Sequence, residues 1–256
     1  MVKRRAIVSF LAMVILGASV VADAADVKVI CANGMRDTMR DLREQLERET
    51  GQKVTMTFGE AGNLRRGLQT GDVGDVIILP RTVMDQALAD GKIAPETTVD
   101  LARTEIGVGV PASAAKPDMS SADGLKRALL AAKVIVITDP ATGGVSGVHM
   151  ADVFQRLGLA EQINPKLKLN KGGYNAEFVA KGEADMAFQL AHEVRAVPGI
   201  EFIPLPAEFQ RVFVFSAALG AEAKDSAAAK AVMQFLSGPA GAGAIRARRL
   251  EPLAGK

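Results

Sequence analysis

Tryptophan is absent from this 256-residue chain, tyrosine and cysteine occur once each, and histidine occurs twice. A single cysteine, Cys31, leaves no internal disulfide to form, so packing has to carry the stability. Two histidines and one cysteine, scattered through the chain, argue against a structural zinc site. No metal or other cofactor is expected. One tyrosine offers little for base stacking, and the formal charge is only +2. Three of the positive charges, Lys3, Arg4 and Arg5, and one negative charge, Asp23, lie in the first 24 residues. Without that segment the balance is zero, and no basic excess remains to grip nucleic acid.

The N-terminal segment reads as an export signal. After the Lys3–Arg5 cluster no charge follows until Asp23, and Ala6 to Val21 is apolar apart from Ser9, Gly17 and Ser19. Ala22-Asp23-Ala24 offers small residues for cleavage. The apolar stretch is shorter than the ~20 residues of a membrane span. Residues 1–24 are therefore expected to be a signal peptide, and the mature protein a soluble, periplasmic monomer.

Short apolar runs alternate with helical patterns along the remainder. Strands are expected at Val27–Ala32, Lys53–Phe58, Asp75–Leu79, Glu105–Val110, Lys133–Thr138, Asp185–Gln189, Ile200–Ile203 and Arg211–Ala217. Amphipathic stretches of ten to fifteen residues separate many of them, the rhythm of βα units in an α/β protein with mixed, mostly parallel sheets. The first helix shows Met35, Met39, Leu42 and Leu46 on one stripe and ends at Gly51. Its other face carries Arg and Glu at i,i+4 spacing, a solvated surface. Breaks around Pro111 to Pro117 and Pro198 to Pro206 predict a second lobe inserted into the first. The expected division is residues 25–104 plus 211–256 for one lobe and 105–210 for the other, with the ligand cleft between them.

Several enzyme signatures fail on inspection. Gly107-Val108-Gly109-Val110-Pro111-Ala112 has dinucleotide-site spacing but lies in a strand and opens no helix. His192-Glu193 lacks the second histidine of a zinc-protease helix, and Ser146 sits in an incomplete nucleophile elbow because Val148 takes the last glycine position. No phosphate-binding P-loop occurs.

What remains is a set of small-residue turns between strands and helices. They are Asn33-Gly34-Met35, Glu60-Ala61-Gly62-Asn63, Thr142-Gly143-Gly144-Val145-Ser146 and Gly173-Tyr174-Asn175. A helix N-terminus presents unpaired N–H groups and positive dipole, and glycine lets that backbone approach a ligand. Such turns line the ligand crevice of open α/β sheets. Together with Gln189 and Arg81 they form the expected binding set for a small anion. Arg65 and Arg66 are neighbouring candidates for pairing with carboxylates. Glu60, Glu177 and His149 lie at or beside the turns and are the candidate proton-transfer groups.

At these residues the chain resembles the periplasmic molybdate-binding proteins, a branch of the type II solute-binding proteins of ABC transporters. The resemblance is carried by Val29 to Met35, by Glu49-Thr50-Gly51, by Phe58 with its glycine-rich turn and Leu64, by Gly71 leading to Asp75–Leu79, and by Asp139-Pro140. It implies two lobes that close on a solute by hinge motion and an inner-membrane ABC permease as partner. The family's molybdate sites use serines where Gly34 and Ala61 stand here, and a tyrosine near Gln189 and Leu190. Ser146 falls near a third contact. Losing two hydroxyl donors, at ~1.5–3 kcal/mol per charge-assisted hydrogen bond, demotes molybdate in favour of a di- or tricarboxylate.

Two functions follow. The first is a periplasmic carrier for a small carboxylate anion. The alternative comes from a branch with glycine-rich turns in place of the serines, which is similar to bacterial aconitate isomerase. That resemblance implies an allylic proton shift in a tricarboxylate, carried by Glu60, Glu177 or His149.

Overall fold

The computed structural model describes residues 26–223 and 226–254. The signal-peptide assignment to residues 1–24 lies outside the described residues. In chain order the elements are β1 (Asp26–Ala32), α1 (Arg36–Thr50), β2 (Lys53–Gly59), α2 (Ala61–Thr70), β3 (Val76–Pro80), α3 (Arg81–Ala89) and β4 (Val99–Pro111). There follow α4 (Ala122–Ala131), β5 (Ile135–Thr138), α5 (Val145–Arg156), α6 (Ala160–Ile163), β6 (Leu167–Asn170), α7 (Ala176–Ala180), β7 (Met186–Leu190) and α8 (Ala191–Val194). The chain closes with β8 (Ile200–Pro204), β9 (Val212–Leu219), α9 (Ala227–Ser237), α10 (Pro239–Ala247) and β10 (Glu251–Pro252).

The βα rhythm produces parallel pairing where it operates. β1 runs parallel to β2 and β3, and β5 runs parallel to β6 and β7. Antiparallel pairs are made by the strands that connect the halves. β4 is the long one, and it changes partners midway. Val99–Glu105 pairs with β9, whereas Ile106–Pro111 pairs with β7 and β8. The result is two lobes, each a sheet flanked by helices. The chain returns at Gln210-Arg211, where the Gln210 Oε1 accepts the backbone N–H of Ile106 (3.2 Å) and of Arg211 (2.8 Å), pinning the two crossings together.

The local chemistry explains the elements. Met39, Leu42 and Leu46 of α1 are buried on one stripe, and Gly51 ends the helix in the left-handed conformation at φ 70°, its N–H capping Glu47 O. All five residues of β3 are buried, as its unbroken apolar run requires for a strand covered on both faces. The expected strands at Val27, Lys53, Asp75, Lys133, Asp185, Ile200 and Arg211 are present within a few residues. β4 begins at Val99, six residues before the expected start at Glu105, since Arg103 and Glu105 hide the pattern. β6, the partner of β5, is half polar (Leu-Lys-Leu-Asn) and sits at an edge, so its sequence carries little strand signal.

Candidate functional site

The carboxyl ends of β1, β2, β3, β5 and β7 converge on a small cavity between the lobes, the crevice position of open α/β sheets. From the first lobe it is lined by Asn33, Gly34, Glu60, Ala61, Pro80 and Phe215. From the second come Thr138, Val145, Ser146, Gln189, Leu190 and Glu193. Its volume is about 20 Å³, close to the space one water needs.

The lobes are held shut by direct contacts. Gly62 N–H donates to Gly143 O at 3.2 Å, and the Arg66 guanidinium donates to Ala141 O at 3.2 Å. Gly143 adopts φ 74°, and a β-carbon there would stand 2.5 Å from Gly62 Cα, so both glycines are needed for this approach. On the other flank the Tyr174 hydroxyl donates to Asp37, which also pairs with Arg36 (3.1 Å). His192 Nε2 meets Gly34 O at 2.9 Å, and its Nδ1 meets Thr104 Oγ1 at 3.3 Å. Burial lowers the His192 pKa to about 4, so the neutral ring donates from Nε2 and accepts at Nδ1.

Two carboxyl groups face the cavity. Glu60 is the N-cap residue of α2, yet its side chain makes no capping bond. It points across the cleft instead. Oε1 accepts from Asn33 Nδ2 at 2.8 Å, and a β-carbon on Gly144 would lie 2.7 Å from Oε2, which places the carboxyl against the start of α5. Burial raises its pKa, opposed by the Asn33 hydrogen bond and by Arg36. Glu193 is buried at the third position of α8, where it accepts the backbone N–H of the N-cap residue Leu190. Burial first, and Glu60 second, push its pKa up to about 8.

The sequence-derived set divides sharply. Asn33, Gly34, Glu60, Ala61, Ser146 and Gln189 line the cavity, and Gly62, Gly143 and Gly144 form its seam. Thr142 braces the seam through Asp139 O (2.6 Å). Met35 is core. Asn175 is fully buried and spends its amide on Thr138, Phe188 and Asn170 rather than on open space. Gln189 bonds Asn175 N (2.7 Å) and Gly173 O (3.0 Å), so it braces the same turn. Tyr174 closes the rim against Asp37.

Five candidates stand away from the cavity. Arg81 is drawn off by Asp85 (2.8 Å) and Asp100 (3.1 Å). Asn63 bonds Arg66, and Arg65 is held by Asp90 at 2.8 Å. Glu177 is exposed and faces Lys181 (3.7 Å). His149 lies a full turn into α5 and is buried against Phe213, with Nε2 on Phe209 O at 2.8 Å. Conversely, Glu193, Thr138, Pro80 and Phe215 line the cavity although no motif or spacing marks them in the sequence. His192-Glu193 stands at the strand-to-helix junction directly after β7, and that position is the sequence signal for Glu193.

Among the described residues no group of three or more His, Cys, Asp or Glu side chains could hold a metal ion. The site is therefore one of helix N-termini, neutral donors and two carboxyls. A family model described as bacterial extracellular solute-binding protein matches residues 27–248, and the chain belongs to that family. The aconitate isomerase of a Pseudomonas species is 29% identical over 232 residues, 88% of this chain and 87% of that protein. The molybdate-binding protein of Azotobacter vinelandii is 29% identical over 245 residues, 92% of this chain and 94% of that protein. Among solved structures, the Azotobacter vinelandii periplasmic molybdate-binding protein superposes with a TM-score of 0.68 at 19% identity, covering 88% of this chain and 98% of that one. A periplasmic thiamin binding protein gives 0.75 at 17% identity, covering 90% and 84%. The fold is thus the two-lobed type II binding-protein fold, in a family of extracellular solute-binding proteins. No helix among the described residues is long and apolar enough to cross a membrane.

Proposed function

We propose that the cleft binds a small di- or tricarboxylate and shifts a carbon–carbon double bond within it, an isomerase of the aconitate type. The observation that carries this reading is Glu60, a partly buried carboxyl that leaves its capping position to face the cavity with a single hydrogen bond, from Asn33. A carrier for anions gains nothing from a carboxylate aimed at its ligand, because the two repel unless a proton intervenes. An acid whose pKa is raised toward neutrality suits proton transfer.

The chemistry needs one base. Glu60 takes the allylic C–H proton, and the electron pair delocalises through the double bond onto the adjacent carboxylate. The starts of α2, α5 and α8 border the cavity where that charge develops, and their backbone N–H groups, apart from the Gly62 N–H that is spent on Gly143 O, are the donors it would meet; their N-cap residues Glu60, Gly144 and Leu190 make no side-chain capping bond. Glu60 returns the proton at the other end of the allyl system, and the double bond has moved with no net change in protons or electrons. A cavity of about 20 Å³ cannot hold a tricarboxylate, so residues 25–104 plus 211–256 part from residues 105–210 to admit it. The protein acts as a periplasmic monomer after removal of residues 1–24.

The test is proton NMR of cis- and trans-aconitate incubated with the mature protein in deuterated water. Interconversion with label uptake supports the enzyme. Tight binding without exchange over hours rejects it and leaves a second reading, a carboxylate carrier for a permease. That reading is favoured by the family and by the molybdate-binding relative. Molybdate itself fits neither version. A side chain on Gly34 would meet the Phe215 ring at 2.4 Å, so this turn cannot accommodate a serine without displacing Phe215. Calorimetry is expected to give molybdate at least a hundredfold weaker binding than the best carboxylate.

A further inference from the structure

The allylic shift uses one of the two carboxyl groups that face the cleft. The other, Glu193, is fixed by the start of α8 through the Leu190 N–H and makes no ion pair among the described residues. It also borders a second cavity of about 20 Å³, bounded by Asp37, Thr38, Tyr174, His192 and Arg248. Each cavity has room for about one water. The second one reaches the surface side of the molecule, where the Asp37 and Arg248 side chains are 23% and 40% exposed. Glu193 therefore stands in the wall between the cleft and a wet flank.

The groups around it are known from every side. Glu60 faces it from the turn before α2, Arg36 and Asp37 from α1, Tyr174 from the turn before α7, and Arg248 from the end of α10. On its own helix stand His192 and Arg195. Arg36 is committed to Asp37, Arg248 to Asp41, and Arg195 to Glu105 at 3.3 Å. His192 is locked between Gly34 O and Thr104. Glu193 is thus the titratable group common to both cavities that is not already bound to a side-chain partner.

We infer that Glu193 is a relay residue that exchanges the proton on Glu60 with solvent while the substrate is bound. This rests on Glu60 being the proton-transfer group. After giving its own proton to water in the second cavity, Glu193 takes the proton from Glu60 through a water in the cavity that both line, and the reverse sequence returns a solvent proton to Glu60. Only O–H bonds break and form, and the pair ends with the protons it began with. Burial beside Glu60 pushes Glu193 up to about 8, so it gains and loses a proton readily near neutral pH.

The decisive variant is Glu193→Gln, which keeps an acceptor for the Leu190 N–H and removes the titrating proton. The measurement is deuterium incorporated per isomerisation event in deuterated water, read by NMR on aconitate. Wild type is expected to deliver mostly solvent deuterium, and E193Q to return the substrate's own proton, with at least a fivefold fall in incorporation per turnover. Glu193→Asp, which restores an exchangeable acid, is expected to recover part of it. An unchanged ratio in folded E193Q overturns the relay even if turnover falls. A purely structural role lowers the rate without moving that ratio. Should wild type not isomerise aconitate, carbon-13 titration of the glutamate carboxyls in ligand-free protein separates the two ideas. The Glu193 midpoint is expected to fall by at least half a pH unit in E60Q, because the Glu60 charge is one of the causes that raise it. An unmoved midpoint rejects the pair itself, independently of the reaction.

Discussion

Two sets of helix starts in this molecule are built differently. At α4 and α9 a serine completes the N-terminus: Ser121 Oγ accepts Gly124 N–H at 3.1 Å, and Ser226 Oγ accepts Ala229 N–H at 3.2 Å. Neither serine lines the cleft cavity. At α2, α5 and α8, which open onto it, the N-cap residues are Glu60, Gly144 and Leu190, and none supplies a side-chain cap. A serine in such a place contributes ~1 kcal/mol. The cleft helices forgo that stabilisation, as α1, α3, α6, α7 and α10 also do, and at α2 the Gly62 N–H is spent on Gly143 O.

The sharpest way to break that comparison is at Glu60, the one uncapping residue with a titratable group. Glu60→Gln keeps the size and the Asn33 contact but cannot take a proton. Turnover of aconitate is expected to fall at least ~100-fold, the scale of general-base catalysis. Carboxylate affinity by calorimetry should hold or rise, because a repelling charge has gone. A variant within tenfold of wild-type turnover would remove Glu60 from the chemistry.

The next effect is on stability against pH. Glu193 keeps its proton to about pH 8 in the fold, against 4.5 as its ordinary value in the unfolded chain. Between those limits unfolding releases a proton, so the folded state is progressively disfavoured as pH rises from 4.5 to 8 and the loss levels off above. Denaturant midpoints of wild type and E193Q are expected to diverge over that window, wild type falling relative to the variant by several tenths molar. Parallel curves would mean that Glu193 titrates normally.

A smaller effect is expected at the seam. Gly143→Ala places a β-carbon 2.5 Å from Gly62 Cα at a residue with φ 74°. The lobes should be held apart, seen as a larger radius of gyration with saturating carboxylate, and affinity should drop about tenfold, ~1.4 kcal/mol. Unchanged compaction would show that closure does not depend on this contact.

How much of this was legible beforehand depends on what each residue's surroundings add. The apolar runs of β1 to β3 and the stripe of α1 specify themselves locally, and the glycine-rich turns announce strand-to-helix junctions. Glu60 was therefore within reach. Orientation was not. His149 and Glu177 sit near the same turns, but each helix residue rotates its side chain by about 100°, which sends His149 into the Phe213 core and Glu177 to Lys181. Arg81 looked like an anion ligand until Asp100, nineteen residues on, claimed it. Phe215 and Thr104 reach the site from the connecting strands, whose pairing is a long-range property. Glu193 is hidden for another reason: α8 is only four residues long, so its start carries little helical pattern in the sequence.

The smallest expected effects are those that test the comparison most directly. Ser121→Ala and Ser226→Ala each strip an acceptor from a helix N-terminus remote from the cavity. Each should cost ~1 kcal/mol, or about 2–4 °C in melting temperature for a chain of this size. Turnover and carboxylate affinity should stay within twofold. The converse substitution, Gly144→Ser, adds the favoured capping residue to α5. In an isolated helix it would stabilise by a similar amount. Here its β-carbon would stand 2.5 Å from Thr138 Cγ2 and 2.7 Å from Glu60 Oε2, and its hydroxyl would occupy an N–H that the anion needs. Binding should weaken at least tenfold while melting temperature does not rise. If instead Gly144→Ser stabilises the protein and leaves binding intact, the bare start of α5 is an accident of packing. The free N–H groups would then have to be sought at α2 and α8 alone.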